Sequence, residues 1–417
     1  MNLTWRHFLF FGLAWGAQAS AYSSPEPLPQ GVRALAYVYG FASGINTRLN
    51  GDGLLEDLAK PLNRSVSIAE MAEAEPDLLK LQNVLANLDP LWADQVLSIN
   101  LYAHASVFES QKVSGFLYGV TDRLAIGVIV PFIKRDIDFG FRADVVNNAK
   151  AIATSVGDIP ELQKGLKKLS ETRIDTQTFN QAIFLNRGYK APESHHVEAW
   201  GDAEIETRYS YYFDNRWGLG LRGGFRAPTS SYKIDIRNVL DQDLTEDVWA
   251  LKLSHLSEYQ IRPHSLSWST TIGGIVRLPK TQERAYARSA SDPLPDLTDP
   301  YQIESVRKLI GPELNMDSGL QWSLAQGWVS LMGSAFYSVK AKDRIYGHRD
   351  LDYLRETAGT AAQTQGLELA VQVSSISSFR RNSFPLPFNV TVAYVNPMRG
   401  HDSIYAPYWR LDSVILF

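Results

Sequence analysis

From residue 96 onward, apolar residues return at every second position. Leu97, Ile99, Leu101, Ala103, Ala105 and Val107 alternate with Ser98, Asn100, Tyr102, His104 and Ser106. Leu219, Leu221, Phe225 and Ala227 alternate with Gly220, Arg222, Gly224, Arg226 and Pro228. Met316, Leu320, Trp322 and Leu324 alternate with Asn315, Asp317, Gln321 and Ser323, and Leu367, Leu369, Val371 and Val373 with Glu368, Gln372 and Ser374. Successive side chains of a strand point to opposite faces, so each segment is a ribbon with one oily and one wet face. About twelve strands are expected, at residues 31–43, 96–120, 123–134, 197–213, 217–228, 247–261, 265–278, 314–325, 328–340, 363–377, 387–396 and 404–417, with fourteen as the alternative count.

Period two is shared by soluble sandwiches, whose oily face needs a second sheet, and by barrels, whose oily face meets lipid. The connectors separate the two. Short turns at Thr121-Asp122-Arg123, Asp214-Asn215-Arg216, Arg262-Pro263-His264 and Gln326-Gly327 alternate with long links near 136–196, 229–246, 279–313 and 342–362. Membrane barrels sort their connections in this way. The expected fold is therefore all-β with helical loop insertions: a transmembrane antiparallel up-and-down β-barrel with both chain ends on the short-turn side. Leu54, Leu55, Leu58, Ile68, Met71, Leu78, Leu81, Val84 and Leu88, and again Val145, Val146, Ile152, Leu162, Leu166 and Leu169, fall at helical spacing and predict helices within 53–94 and 142–186.

The two ends agree with export. Arg6-His7, the apolar run from Phe8 to Gly16 and Ala17-Gln18-Ala19 have the charged, greasy and small order of a signal peptide. Residues 1–19 are set aside on that basis, leaving 20–417 as the barrel, with external loops at 44–95, 136–196 and 279–313. Pro25, Pro27 and Pro29 lead almost straight into the first strand. At the other end Trp409, Leu411, Ser413, Ile415 and Phe417 share a face opposite Arg410 and Asp412. The terminal Phe417 resembles the insertion signal of bacterial outer-membrane barrels, which implies the bacterial outer membrane as location. Its lipids and lipopolysaccharide, and the barrel-assembly machinery, are then the expected partners.

Composition narrows the chemistry. The 417 residues carry no cysteine, 21% charged residues and a net charge of −4, which excludes thiol catalysis, disulfide scaffolds and a polycationic nucleic-acid binder. The richest polar constellation is Glu198, Asp202, Glu204, Glu206 and Arg208 on one face of a single strand, followed by Arg222 and Arg226 on the next strand and Lys252 and Glu258 on the one after. Isolated buried charges are costly, so a lumen of paired or hydrated charges is the expected setting. These residues are read either as struts that hold the barrel open or as a constriction that orients permeants.

Two His-x-Ser pairs raise the alternative of a lipid hydrolase. By alternation His104 and Ser106 fall on the wet face, where they cannot meet a lipid ester from outside, and His255 and Ser257 on the oily one, where the flanking strands offer no Asn, Asp or Glu to hold the imidazole, so no catalytic residue is assigned. His195 and His196 with Glu193 and Glu198 lack metal-ligand spacing, and Asp241, Asp243, Glu246 and Asp247 lack the glycine-turned spacing of a calcium loop. No metal or cofactor is expected.

Residues 118–132 read Tyr118-Gly119-Val120-Thr121-Asp122-Arg123, then Gly127-Val128 and Pro131-Phe132, with Gly201-Asp202 and Pro228-Thr229 further on. These motifs resemble the outer-membrane family named for a putative MetA pathway of phenol degradation. The resemblance covers about residues 95–340 and implies a channel for passive uptake of small molecules, with aromatic or hydrophobic compounds as permeants. The competing expectation is a non-conducting barrel that binds a partner through its external helices.

Overall fold

The computed structural model describes residues 25–26, 28–67, 76–157, 159–171, 175–241, 243–289 and 294–417. The signal-peptide reading, and the helical reading of Ile68 and Met71, fall outside them. Among the described residues no helix is long and apolar enough to cross a membrane.

Twelve antiparallel strands close into a ring. They are β1 Arg33–Ile45, β2 Leu97–Thr121, β3 Leu124–Asn147, β4 Glu204–Phe213, β5 Trp217–Arg226, β6 Ala250–Arg262, β7 Leu266–Arg277, β8 Glu313–Leu324, β9 Val329–Lys340, β10 Ala362–Ser374, β11 Phe388–His401 and β12 Tyr408–Leu416. Each pairs with its sequence neighbours, and β1 closes the ring on β12, with Ala34 opposite Leu416 and Phe41 opposite Trp409. Two further short strands, Arg64–Ser67 and His195–Trp200, extend the ladders of β2 and β3. Closure leaves no sheet edge, which is what permits strands to stand in hydrocarbon.

On β6 to β8 the outward Leu251, Leu253, Trp268, Ile272, Val276, Leu314, Met316, Leu320 and Trp322 are exposed. Between them Glu258, Ser267, Ser269, Thr271, Arg277, Glu313, Asp317 and Gln321 are buried inside. Aromatic pairs mark both rims of this belt: Trp217 lies 4.6 Å from Tyr259 near the short turns, and Phe225 stacks 4.9 Å from Trp249 near the long loops. Rings with one polar edge prefer that depth.

The hairpin of β2 and β3 departs from expectation. Its strands run 25 and 24 residues, far more than the ~9–11 needed to span lipid, so the stretch 136–147 is strand rather than loop. Above the belt the parity continues but the polarity inverts. Leu97, Ile99, Leu101, Ala105 and Val107 are buried on the inner face, and His104 faces outward. Here the exterior meets water while the interior packs on loops, so the oily face turns inward.

What it packs on is largely helical. Helices α1 Pro76–Leu88, α2 Pro90–Gln95, α3 Ala149–Ser155, α4 Pro160–Glu171 and α5 Thr176–Ile183 fill the two loops. Leu85, Val96, Leu97, Ala149, Ile152, Leu162, Leu166 and Leu169 form one core. Asp89 and Asp175 cap α2 and α5, accepting from the Leu91 and Thr178 N–H groups at 2.9 Å each. Leu54, Leu55 and Leu58 are not helical: residues 55–57 form a short strand paired with Thr47–Leu49.

The 279–313 link is likewise structured. Lys280–Ala285 pairs with Ile303–Leu309, which pairs with Arg344–Tyr346, over a core of Tyr286, Val306 and Leu351. Asp343 anchors this sheet, contacting Lys340 at 2.7 Å, Lys308 at 3.4 Å and the Gly311 N–H at 2.9 Å. Burial pushes its carboxyl up, but the two ammonium groups and the N–H outweigh burial and hold it below its ordinary value. A carboxylate depressed on folding stabilises above its unfolded pKa, about 3.9, and that stability is lost as pH falls through the lower folded value. Hydrogen exchange over residues 342–360 is therefore expected to stay slow from neutral pH to about pH 4 and to accelerate below it. Asp343→Asn is expected to remove that protection at neutral pH, and exchange indifferent to both acid and substitution would refute the assignment.

Candidate functional site

A cavity of about 1900 Å³ occupies the barrel, lined from the short-turn residues Asp214, Asn215 and His264 to the long-loop residues Ile236, Leu294 and Gln282. Asp202, Glu204, Glu206, Arg208, Arg222, Arg226, Lys252 and Glu258 all line it. Their charges form a ladder across strands. Glu204 on β4 pairs with Lys252 on β6 and lies 3.6 Å from Arg226 on β5. Arg226 reaches Glu246 at 3.1 Å, Glu246 reaches Arg277 on β7 at 2.6 Å, and Arg277 reaches Glu313 on β8 at 2.8 Å. Glu258 accepts from Gln260 at 2.6 Å. On the far wall Arg410 holds Glu368 at 2.8 Å and Asp412 at 3.0 Å.

Glu246, Arg277 and Glu313 were not among the sequence candidates. Glu246 reads as one acidic loop residue among several, and only its fold back over the strand ends brings it to the guanidiniums. Arg277 and Glu313 sit on the inward parity of β7 and β8, a signal available by extending the alternation to the strand tips.

Glu198 is a correction. It lies outside the cavity, its side chain 56% exposed and 3.8 Å from His196 on the outer wall. The expected strand 197–213 breaks at Gly201-Asp202-Ala203, and the break shifts the phase. Val197 and Ala199 are buried before it, and Glu204 after it. The ladder of β3 accordingly skips Val130 and Pro131, pairing its Phe132–Ile137 stretch with one segment and Leu124–Ile129 with the other.

Asp202 closes that break. Its carboxylate accepts the N–H groups of Thr229 and Ser230 at 3.1 Å each and of Asp247 at 3.2 Å. Asp247 has a left-handed φ of 48°, and the bond helps to hold it there. Thr229 returns a bond through Oγ1 to the Ala203 N–H at 2.7 Å, beside Pro228, while the Gly201 N–H donates to the Pro131 carbonyl at 2.8 Å. A side chain at Gly201 would collide with Pro131. The Gly201-Asp202 and Pro228-Thr229 motifs thus make a wall seam.

The first motif does similar work at the short-turn end. Thr121 Oγ1 accepts from the Arg123 N–H at 3.2 Å, Asp122 accepts from the Gln30 N–H at 3.0 Å, and Tyr118 faces outward. Gly119 lies so close to the Pro29 carbonyl that no Cβ would fit. Pro25 lies against Gly218 and Gly220 on β5, and Glu26 meets Arg380 at 3.2 Å. The segment before β1 therefore crosses the mouth from β5 to β2 instead of running straight into the wall.

The opposite wall is apolar. Inside β1 stand Ala34, Ala36, Val38 and Gly40, inside β2 Val113, Gly115 and Leu117, and inside β3 Ala125, Gly127, Ile129, Pro131 and Ile133, all lining the cavity. Outward on the same strands are Leu35, Tyr37, Phe116, Ile126 and Val128. At these positions both faces are apolar, differing in bulk rather than polarity, so the wet-face criterion does not register them.

Neither His-Ser pair is assembled for catalysis. His104 is on the outer surface beside Asp138, 3.9 Å away, and not in the lumen. His255 meets the Tyr211 hydroxyl at 2.7 Å, while Ser257 donates to the Thr270 carbonyl at 3.3 Å. His195 and Tyr232 both turn to Asp241, which also accepts the Asp235 N–H at 2.7 Å, so Asp241 folds its own loop. Among the described residues no group of three or more metal-ligating side chains assembles. Phe417 bonds through N–H and C=O to Arg33, at 2.9 Å each, sealing the β1–β12 seam.

No family model matches the chain, and no curated protein sequence matches it. Among solved structures it is similar to the COG4313 outer membrane channel from Pseudomonas putida F1, with a TM-score of 0.53 at 11% identity over 96% of this chain and 100% of that one. That likeness establishes the fold, a barrel of bacterial outer-membrane type. The toluene transporter TbuX of Ralstonia pickettii is more distant, with a TM-score of 0.33 at 10% identity over 93% of this chain and 89% of that one.

Asp202→Ala would strand three N–H groups at the seam. A loss of about 2–4 kcal/mol is expected, with Asp202→Asn recovering part, measured as the shift in denaturant midpoint of the folded barrel in detergent. An unmoved midpoint would show that the seam needs no clamp.

Proposed function

We propose that this chain is an outer-membrane conduit for the passive uptake of small molecules, chiefly those with hydrophobic or aromatic bodies. The single observation that carries the reading is the cavity reaching from turn residues to loop residues, with a wall on β1–β3 that is apolar except for Gln111 and, beyond it, the buried Glu109–Arg135 pair. An apolar solute crossing a purely polar pore loses its favourable surroundings, and an apolar strip along the path lowers that barrier. The charge ladder keeps the facing wall upright, because opposed charges on neighbouring strands attract while the water they hold resists collapse. The motif likeness to the phenol-degradation family supports the same direction.

Under this reading Pro25, Glu26 and the stretch 28–30 narrow the periplasmic mouth, held by the Glu26–Arg380 pair and the Asp122–Gln30 bond. In planar bilayers the mature protein is expected to give a small ion conductance, and a variant lacking residues 20–30 a several-fold larger one. Silence from both variants, with heat-modifiable barrels on gels, would end the proposal.

A second reading has its own observation: Leu79, Val84, Leu88 and Leu91 on α1 and α2 are exposed, an apolar face to which a partner could dock. Removing residues 76–95, which carry that face, discriminates. A conduit keeps or gains conductance, whereas a docking barrel loses partner capture with conductance unchanged.

A further inference from the structure

We infer that the row Ser323, Ser330, Gln372 and Thr391, with Gln321 beside it, is a subsite in the lumen for the hydroxyl group of a neutral, mostly apolar solute. The inference rests on the conduit reading and deepens it by naming the class of solute. Its first support is register. Ser323 lies opposite Ser330, Ser330 opposite Gln372 and Gln372 opposite Thr391, so one level of the wall runs hydroxyl, hydroxyl, amide, hydroxyl across β8–β11. All four line the cavity, as does Gln321. The charge ladder lies elsewhere: Glu313 opens β8 at the long loops, whereas Gln321 and Ser323 stand near its short-turn end. The row meets a charge only on β12, where Asp412 is opposite Thr391 and both its oxygens accept from Arg410 Nε at 3.0 Å.

The second support is the hydrogen-bond account. Gln321 Nε2 donates to Gln372 Oε1 at 3.2 Å, Gln372 Nε2 donates to Thr391 Oγ1 at 3.4 Å, and the Ser323 and Ser330 hydroxyls share a bond of 3.1 Å. This chain of donors leaves Gln321 Oε1 without one, although the residue is only 7% exposed. Asn389 Oδ1, on the same strand as Thr391 and also lining the cavity, lacks a donor too. A buried amide oxygen left unpaired is costly, so a group that donates completes the row. Turning both glutamines over would exchange the missing donor for a missing acceptor. A hydroxyl supplies either, whereas an ether or a carboxylate only accepts.

The third support is what the row faces. In the ring of twelve, β8 and β9 stand six strands from β2 and β3, across the lumen. Gln321 and Leu117 both lie within four positions of a strand end at the short turns, Leu324 and Thr121 respectively. At that level the far wall offers Gly115, Leu117 and Gly127 to the cavity. A solute hydroxyl-bonded to the row therefore turns its body toward apolar side chains. The row itself carries no charge to balance an ion, and an unbalanced ion there would forfeit its hydration. A neutral alcohol with an aromatic or aliphatic body fits both sides.

The test uses the mature protein in lipid nanodiscs, titrated calorimetrically with benzyl alcohol, benzyl methyl ether and glycerol, with empty discs subtracted. Benzyl alcohol is expected to bind about fivefold more tightly than the ether, which keeps the ring and the oxygen but cannot donate. Glycerol, with hydroxyls and no apolar body, is expected not to bind measurably. Gln321→Leu is expected to bring the alcohol-to-ether preference down to about one, and Thr391→Val, which removes only the hydroxyl, to lower it about twofold. Heat-modifiable gel migration checks each variant's fold, and Gln372→Met serves if Gln321→Leu does not fold. Equal affinity for alcohol and ether, the result if water alone completes the row, would overturn the inference. So would a preference unchanged in the folded variants, or glycerol bound as tightly as benzyl alcohol. Ion conductance is read separately. Conductance without the alcohol preference sinks the subsite and spares the conduit, whereas the preference in a non-conducting barrel does the reverse.

Discussion

The constraint on which the rest of this structure depends is that hydrocarbon offers no hydrogen-bond partner to a peptide group. A strand can stand in lipid only if both its edges are paired, so the ring must close, and closure through β1 and β12 brings the two ends of the barrel domain together. Phe417 and Arg33 exchange the last two bonds of that seam. The same constraint explains Asp202. Where the fourth strand breaks, the ladder of β3 skips Val130 and Pro131, one of which has no N–H to lose. The carboxylate, Thr229 and the Gly201 N–H then supply locally the bonds that a continuous strand would have supplied.

Closure also forces charge into pairs. A twelve-stranded ring encloses a space wide enough for side chains and some water but too narrow to hydrate every ion fully. Glu204, Arg226, Glu246, Arg277 and Glu313 answer this by alternating in sign along a chain of contacts, with Glu246 reaching in from the loop between β5 and β6, so that each carboxylate has a guanidinium beside it. Removing one member would leave a neighbour buried and uncompensated, which costs more than the pair contributes. Such a ladder is therefore hard to vary piecemeal.

The sequence made the strands, their turns and the inward charges of β4 to β6 legible, because alternation is enforced wherever one face meets lipid and the other water. It misled wherever that condition fails. Above the belt the outside is wet, so the oily residues from Leu97 to Val107 turn inward and His104 turns out. At residues 201–203 an irregular step resets the phase, which places Glu198 outside although it shares parity with Glu204. On β1 to β3 neither face is wet enough to signal, and the lumen wall is distinguished by alanine and glycine against leucine and tyrosine. Glu246 joins the ladder through loop folding, which no local period encodes. The N-terminal segment is of the same kind, since its course is set by glycines at positions 119, 218 and 220, about a hundred and two hundred residues away along the chain.

Space in the lumen follows from this division of walls. Long charged side chains from β4 to β9 reach inward and occupy the volume they line, while alanine and glycine on β1 to β3 do not. The cavity is thus bounded by mainly apolar side chains on one flank and by the tips of ion pairs on the other. A wholly polar solute would forfeit its hydration along the first flank, and a wholly apolar one would face carboxylates and guanidiniums along the second. Both flanks follow from the ordinary requirement that a closed sheet bury something on its inner face.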